Sequence, residues 1–167
     1  MSDKKDSEPN SKVTKVERTG DRERVVTRTF DAPAHIVFAA WTTPELMKRW
    51  WVPKSIPMAM VACEMDVRTG GSYRLTFEME SMPPMDFFGR YIEVVPNQRL
   101  VWTNEESDEN GSVTTVTFVE HNGKTTVAVH ERYPSAEALE ADGAHEAAAE
   151  VHAQLDELLV ALAANAT

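Results

Sequence analysis

Three tryptophans, Trp41, Trp50 and Trp51, fall within eleven residues, on a segment from Phe30 to Trp51 that reads as a strand end followed by two short helices. Helices this short cannot bury so much aromatic surface on each other, so they need a larger, curved layer to pack against. Pro33 and Pro44 each mark a helix start, where a missing N–H costs nothing. Thr43 is expected to cap the second helix through its hydroxyl. The rest of the chain has to supply the layer.

It does so with strands. Residues 22–30 read as the first, and 60–67, 72–79, 87–95, 99–103, 112–120 and 125–132 as six more. The clearest is 72–79, with Tyr73, Leu75, Phe77 and Met79 on one face and Ser72, Arg74, Thr76 and Glu78 on the other. That period of two marks a half-buried strand of an antiparallel sheet. Thr69-Gly70-Gly71 and Pro96-Asn97 read as turns, residues 105–111 as a hairpin loop, and Asn122-Gly123 as the tight hairpin between the last two strands. Residues 135–141 form a short helical turn, and from Ala144 the period changes. Ala144, Ala148, Val151, Leu155, Leu158 and Leu162 make one apolar stripe, with Glu146, Glu150, Gln154 and Glu157 on the opposite side. A lone amphipathic helix after a run of strands buries its stripe on the sheet. The fold class is α+β: a curved antiparallel sheet of about seven strands wrapped around a long C-terminal helix, with two short helices after the first strand. Residues 1–20 are too polar to order themselves and read as a disordered arm, leaving 21–167 as the domain.

Composition removes several function classes. A formal net charge of −10 repels a phosphate backbone, so no nucleic-acid partner is expected. The single cysteine, Cys63, permits neither an intrachain disulfide nor a cysteine metal site, and reads as a small buried hydrophobe. No apolar run reaches membrane-spanning length and the N-terminus has no signal core, so a cytoplasmic location without membrane insertion is expected. His145-Glu146 begins like a zinc-protease motif, but Ala149 stands where the second histidine belongs. His145 and His152 lack a third ligand and read as solvated helix residues. Glu64 with Asp66 and Glu78 with Glu80 share strand faces and read as solvated pairs. There is no nucleophile elbow and no phosphate-cradling glycine loop. Neither a metal nor a cofactor is expected.

Several segments together carry a family resemblance: Phe30-Asp31-Ala32-Pro33, Val37-Phe38, Ala40-Trp41-Thr42, Pro44-Glu45 and Trp50-Trp51-Val52-Pro53; then Asp66-Val67-Arg68-Thr69-Gly70-Gly71, Gly89-Arg90-Tyr91-Ile92-Glu93-Val94-Val95-Pro96 and Arg99-Leu100-Val101-Trp102-Thr103; finally Val116-Thr117-Phe118 and Gly123-Lys124-Thr125-Thr126. Over residues 24–162 the chain resembles the START-like, or SRPBCC, superfamily, and within it the domain of the activator of the 90-kDa heat-shock protein ATPase. The resemblance implies a helix-grip fold with an internal cavity between sheet and helix. It also implies a choice of roles, since members bind lipids, polyketides or other apolar molecules, some catalyse cyclisation or dehydration, and the eukaryotic activator uses the domain against its chaperone. One departure stands out. Members commonly carry Gly-Trp at the start of the last helix where this chain has Glu150-Val151, and the missing Trp is expected to enlarge or reshape the cavity wall.

The candidate cavity residues are Tyr73, Phe77, Phe88, Trp102, Phe118 and Val129 from the sheet, Trp51 and Met60 at the helix-pair end, and Val151 and Leu155 from the final helix. Their ordinary reading is a filled core. Met58, Met60, Met65, Met79, Met82 and Met85 suit either a flexible lip or gap-filling. The favoured function is binding of a small apolar or amphipathic molecule, without a cofactor. The alternatives are a cyclase- or hydratase-type enzyme, with Glu131 or Tyr73 as the proton-transfer group, and a module acting on a chaperone or another protein. A monomer and a homodimer are both compatible with the sequence.

Overall fold

The computed structural model describes residues 13–105, 111–141 and 144–165. Eight strands form one antiparallel sheet: β1 (Lys15–Gly20), β2 (Glu23–Phe30), β3 (Met58–Met65), β4 (Ser72–Met79), β5 (Met85–Val95), β6 (Arg99–Thr103), β7 (Val113–His121) and β8 (Lys124–Arg132), in the order β1-β2-β8-β7-β6-β5-β4-β3. Between β2 and β3 lie α1 (Ala34–Thr42) and α2 (Pro44–Trp50). After β8 come α3 (Ala136–Ala141), a 3₁₀ turn (Ala144–Ala147) and α4 (Ala148–Asn165). The long helix therefore begins regular α geometry at Ala148 rather than Ala144.

The sheet has eight strands rather than about seven because the N-terminal arm is not wholly irregular. Residues 15–20 pair antiparallel with β2, Lys15 opposite Thr27 and Arg18 opposite Arg24, although every side chain of β1 is exposed. Residues 1–12 of the expected arm, residues 106–110 of the expected hairpin loop, and Gly143 lie outside the described residues. The β7–β8 hairpin turns through Asn122 (φ 54°) and Gly123 (φ 80°), the two positive φ values a tight hairpin requires.

The two short helices start differently from expectation. Pro44 does open α2, but Thr43 contributes its carbonyl, to Leu46 and Met47 N–H, and makes no side-chain cap. Pro33 precedes α1 as its N-cap and offers no side-chain acceptor. The Ala34 N–H instead donates to Glu120 Oε1 of β7 at 2.9 Å, and the Thr125 hydroxyl of β8 donates to the Ala32 carbonyl at 2.7 Å. The helix pair is thus seated on the β7–β8 hairpin end. Its aromatic cluster joins Trp41 to Trp50 (4.8 Å between ring centroids), Trp51 (5.7 Å), Trp102 (6.2 Å) and Phe118 (6.2 Å). Trp50 is almost wholly buried and donates its indole N–H to the Ala40 carbonyl, which locks α2 onto α1.

Helix α4 buries Leu155, Leu158 and Leu159 in this core. Its polar residues are not all on the solvent side, as the sequence pattern suggested. Gln154 is buried, donating to the carbonyls of Trp50 and Val52 and accepting from Lys54 N–H. Glu150 accepts from the backbone N–H and hydroxyl of Ser55. The two side chains supply partners to a chain segment that has left α2 and has no helix or strand of its own to satisfy it.

Candidate functional site

The inward faces of β4 and β5, the ends of α1 and α2, and the first turns of α4 leave a cavity of about 590 Å³. The inward parity is set by the β4–β5 register, with Tyr73 opposite Gly89, Leu75 opposite Phe87 and Phe77 opposite Met85. Gly89 is required where it stands. A Cβ there would lie 1.9 Å from the Thr103 carbonyl oxygen and 3.0 Å from the Tyr73 ring. The floor adds Val26, Trp102 and Val129. The segment after α2 contributes Trp51, Val52, Pro53 and Ile56, and α4 contributes Ala148, Val151 and His152. Ile56 and Phe87 are well exposed and stand with Met58 and Met85 at the rim.

Of the residues expected from sequence, Trp51, Tyr73, Phe77, Trp102, Val129, Val151 and Glu131 lie on the cavity wall. Four others do not. Phe88 points to the outer face, opposite Arg74, whose guanidinium lies 4.8 Å from its ring centroid. Phe118 does face inward, but α1 covers it, with Phe38 at 5.3 Å and Trp41 at 6.2 Å. Leu155 is fully buried within the core, and Met60 packs against the core without reaching the wall. The residues that sequence reasoning missed include Phe87, Tyr91, Met47, Asn104, Ser112 and His152. Phe87 was recoverable by counting alternate residues back from Tyr91, since the inward set is Tyr91, Gly89, Phe87 and Met85.

The polar groups of the wall are few and mostly committed. The Tyr73 hydroxyl donates to the Thr103 carbonyl at 2.7 Å, and the Asn104 side-chain oxygen lies 3.1 Å away. Asn104 in turn donates to the hydroxyls of Ser112 and Thr114. Glu131 lies 3.9 Å from buried Arg24 and accepts from the Tyr133 hydroxyl at 3.2 Å. Arg24 also donates to the Leu139 carbonyl, tying α3 to the sheet. His130, next to Glu131, faces the other side and meets Glu23 at 2.8 Å. Proton transfer would need a hydroxyl or carboxyl free to exchange with a ligand. Tyr73 spends its hydrogen on a backbone carbonyl, and Glu131 is engaged by a cation and a phenol.

His152 departs most from expectation. It is buried rather than solvated, packs edge-on to Phe30 at 5.5 Å, and lies 3.1 Å through Nδ1 from the Thr14 hydroxyl. Burial, reinforced by the nearby Arg28 charge, pushes its pKa down to about 4. Arg28 is buried as well. It donates to Thr14 Oγ1 at 2.9 Å and forms a short ion pair with Asp156. No group of three or more His, Cys, Asp or Glu side chains among the described residues is arranged to hold a metal ion. Cys63 is half-buried, and desolvation pushes its thiol pKa up. No helix among the described residues is long and apolar enough to cross a membrane.

An open antiparallel sheet, a helix pair after its first strands and a C-terminal helix over an inner hollow define a helix-grip protein. The chain belongs to the family of Activator of Hsp90 ATPase homolog 1-like proteins, whose model matches residues 31–160. Solved structures agree on the fold. A protein from Rhodobacter sphaeroides is 22% identical, with a TM-score of 0.80 over 90% of this chain and 99% of that one. Protein Ms6760 from Mycobacterium smegmatis is 26% identical, with a TM-score of 0.75 over 90% and 99% of the two chains. An AHSA1-like protein from Aeromonas hydrophila is 17% identical, with a TM-score of 0.65 over 83% and 94%. None of the curated proteins compared with the chain matches it.

Proposed function

We propose that this protein binds a small apolar or amphipathic molecule in the space between the sheet and the C-terminal helix. The observation that carries this reading is the cavity of about 590 Å³, walled mainly by aromatic, aliphatic and methionine side chains. Its size and lining suit a small-molecule site, where apolar contact supplies affinity and a few polar groups fix orientation. Burying a ligand's apolar surface contributes about 25 cal/mol per Å². Methionines at the rim, Met58 and Met85, suit a mouth that adapts to its contents.

The test is uptake of an uncharged dye, Nile red, and of naphthalene, followed by fluorescence and by chemical-shift changes at Trp51 and Trp102. Val151→Trp places a large ring on the wall at the point where the resemblance led one to expect it. The expected result is saturable uptake by the wild type and loss of about tenfold or more in affinity in the variant, as a filled pocket forfeits the contact area. Absence of uptake by a folded wild type overturns the reading. The catalytic alternative has less support, because both of its proton carriers are engaged elsewhere. The chaperone alternative draws its support from the family's name.

A further inference from the structure

We propose that the cavity selects a neutral amphipath with a hydrogen-bond acceptor oxygen, such as an alcohol, ketone or ester, held by His152 Nε2–H, and that it rejects carboxylates. This rests on the binding reading above and narrows it to a ligand class.

The charge of the wall carries the second half. Among the described residues that line the cavity there is no Lys or Arg, and the one carboxylate is Glu131. The nearest buried cations of β2 stand outside the lining and are engaged. Arg24 serves Glu131, the Tyr133 hydroxyl and the Leu139 carbonyl. Arg28 serves Asp156 and Thr14, and its Nε is sealed from solvent. A ligand carboxylate would be stripped of water in an apolar space, with Glu131 in the wall and no cation facing it. An ion desolvated without a counter-ion is strongly disfavoured.

The histidine carries the first half. A guanidinium can only donate, so Thr14 Oγ1 accepts from Arg28. The hydroxyl's own hydrogen is then available to His152 Nδ1, 3.1 Å away. With Nδ1 accepting it, the neutral ring is the Nε2–H tautomer, and burial and the Arg28 charge disfavour the protonated form. Among the described residues Nε2 has no hydrogen-bond partner, and it is not one of the sealed, partnerless side-chain atoms, Arg28 Nε and Trp41 Nε1, so it keeps some accessible surface. His152 lines the cavity, which is where the proposed ligand meets that surface. The residue as a whole is 4% exposed. A buried, oriented donor in an apolar wall gains from any acceptor placed opposite it.

The experiment displaces Nile red from the wild-type protein at pH 7.5 with 1-decanol, 2-decanone and decanoate, which share an alkyl chain and differ in headgroup. Decanol and decanone are expected to bind about tenfold or more tighter than decanoate. His152→Phe is expected to weaken decanol and decanone by about three- to tenfold more than it changes naphthalene, the size of one hydrogen bond. His152→Gln keeps an N–H donor and should retain most of the affinity. Decanoate binding as tightly as decanol, or decanol indifferent to His152→Phe, overturns the proposal and leaves the cavity reading standing. Failure of all three compounds and of the dye to bind overturns the cavity reading itself.

Discussion

Gln154 holds three backbone groups of the segment that follows α2: the carbonyls of Trp50 and Val52 and the N–H of Lys54. Replacing it with Ala strands the buried Trp50 carbonyl and leaves the other two groups to water, so Gln154→Ala should cost about 1–3 kcal/mol, read from urea unfolding. Gln154→Glu should be little better, because a carboxylate cannot donate to two carbonyls. His152 gives a second expectation at this scale. Its folded pKa of about 4 lies below the ordinary histidine value, so between those two pH values the unfolded chain holds more protons than the folded one. The contribution is present in full above pH ~6.5 and is lost as pH falls towards 4, amounting to about 3 kcal/mol at the acid end. The groups facing the ring are Thr14, Arg28 and, through Arg28, Asp156. His152→Leu should flatten the wild type's decline in stability between pH 7 and pH 5, and an unchanged slope would show that other groups set it.

Among the elements, β1 has the least obvious cause. Its sequence Lys-Val-Glu-Arg-Thr-Gly shows no apolar alternation and all six residues are exposed, so a reading by hydrophobic pattern assigns it to the arm. What orders it is the free edge of β2 and the anchoring of Thr14 by Arg28 and His152. Deleting residues 1–20 should therefore lower Tm by roughly 5–10 °C, measured by calorimetry, as a loss of a few kcal/mol does in a domain of this size. The strands and helices whose burial follows a regular period were legible, β4 most of all, because period alone decides which face is inside. Phe87-Phe88 was ambiguous, since two adjacent aromatics satisfy either parity, and the β4 register settles it. Gln154 and His152 were misread for one shared reason. Pattern reading assumes polar residues face water, whereas each of these is buried with a partner contributed by a distant segment. That a hollow remains was legible only through the family resemblance, because an empty volume depends on how side chains from many elements fall short of filling the interior.

At the scale of the whole molecule, the cavity is closed by parts that differ in how firmly they are held. The β7–β8 and β2–β8 ladders run unbroken beneath it. Its upper wall includes the irregular segment 51–57, which the side chains of Gln154 and Glu150 hold to α4. Side-chain tethers to an exposed segment open at lower free energy than a sheet ladder, so entry should proceed by local release of this segment rather than by separation of α4 from the sheet. A ligand that bridges the segment, α4 and the β4–β5 rim would suppress that opening and stabilise the folded state by mass action. At a free concentration one hundred times Kd the gain is about 2.7 kcal/mol, or roughly 5–10 °C in Tm for a chain of this length. The accompanying hydrogen-exchange signature is specific: slower exchange at residues 51–57 and the first turns of α4, with β7 and β8 unchanged below the limit of global unfolding. Uniform slowing at every amide, with no excess at 51–57, would mean that the ligand reports on global stability alone and that the segment is not the door.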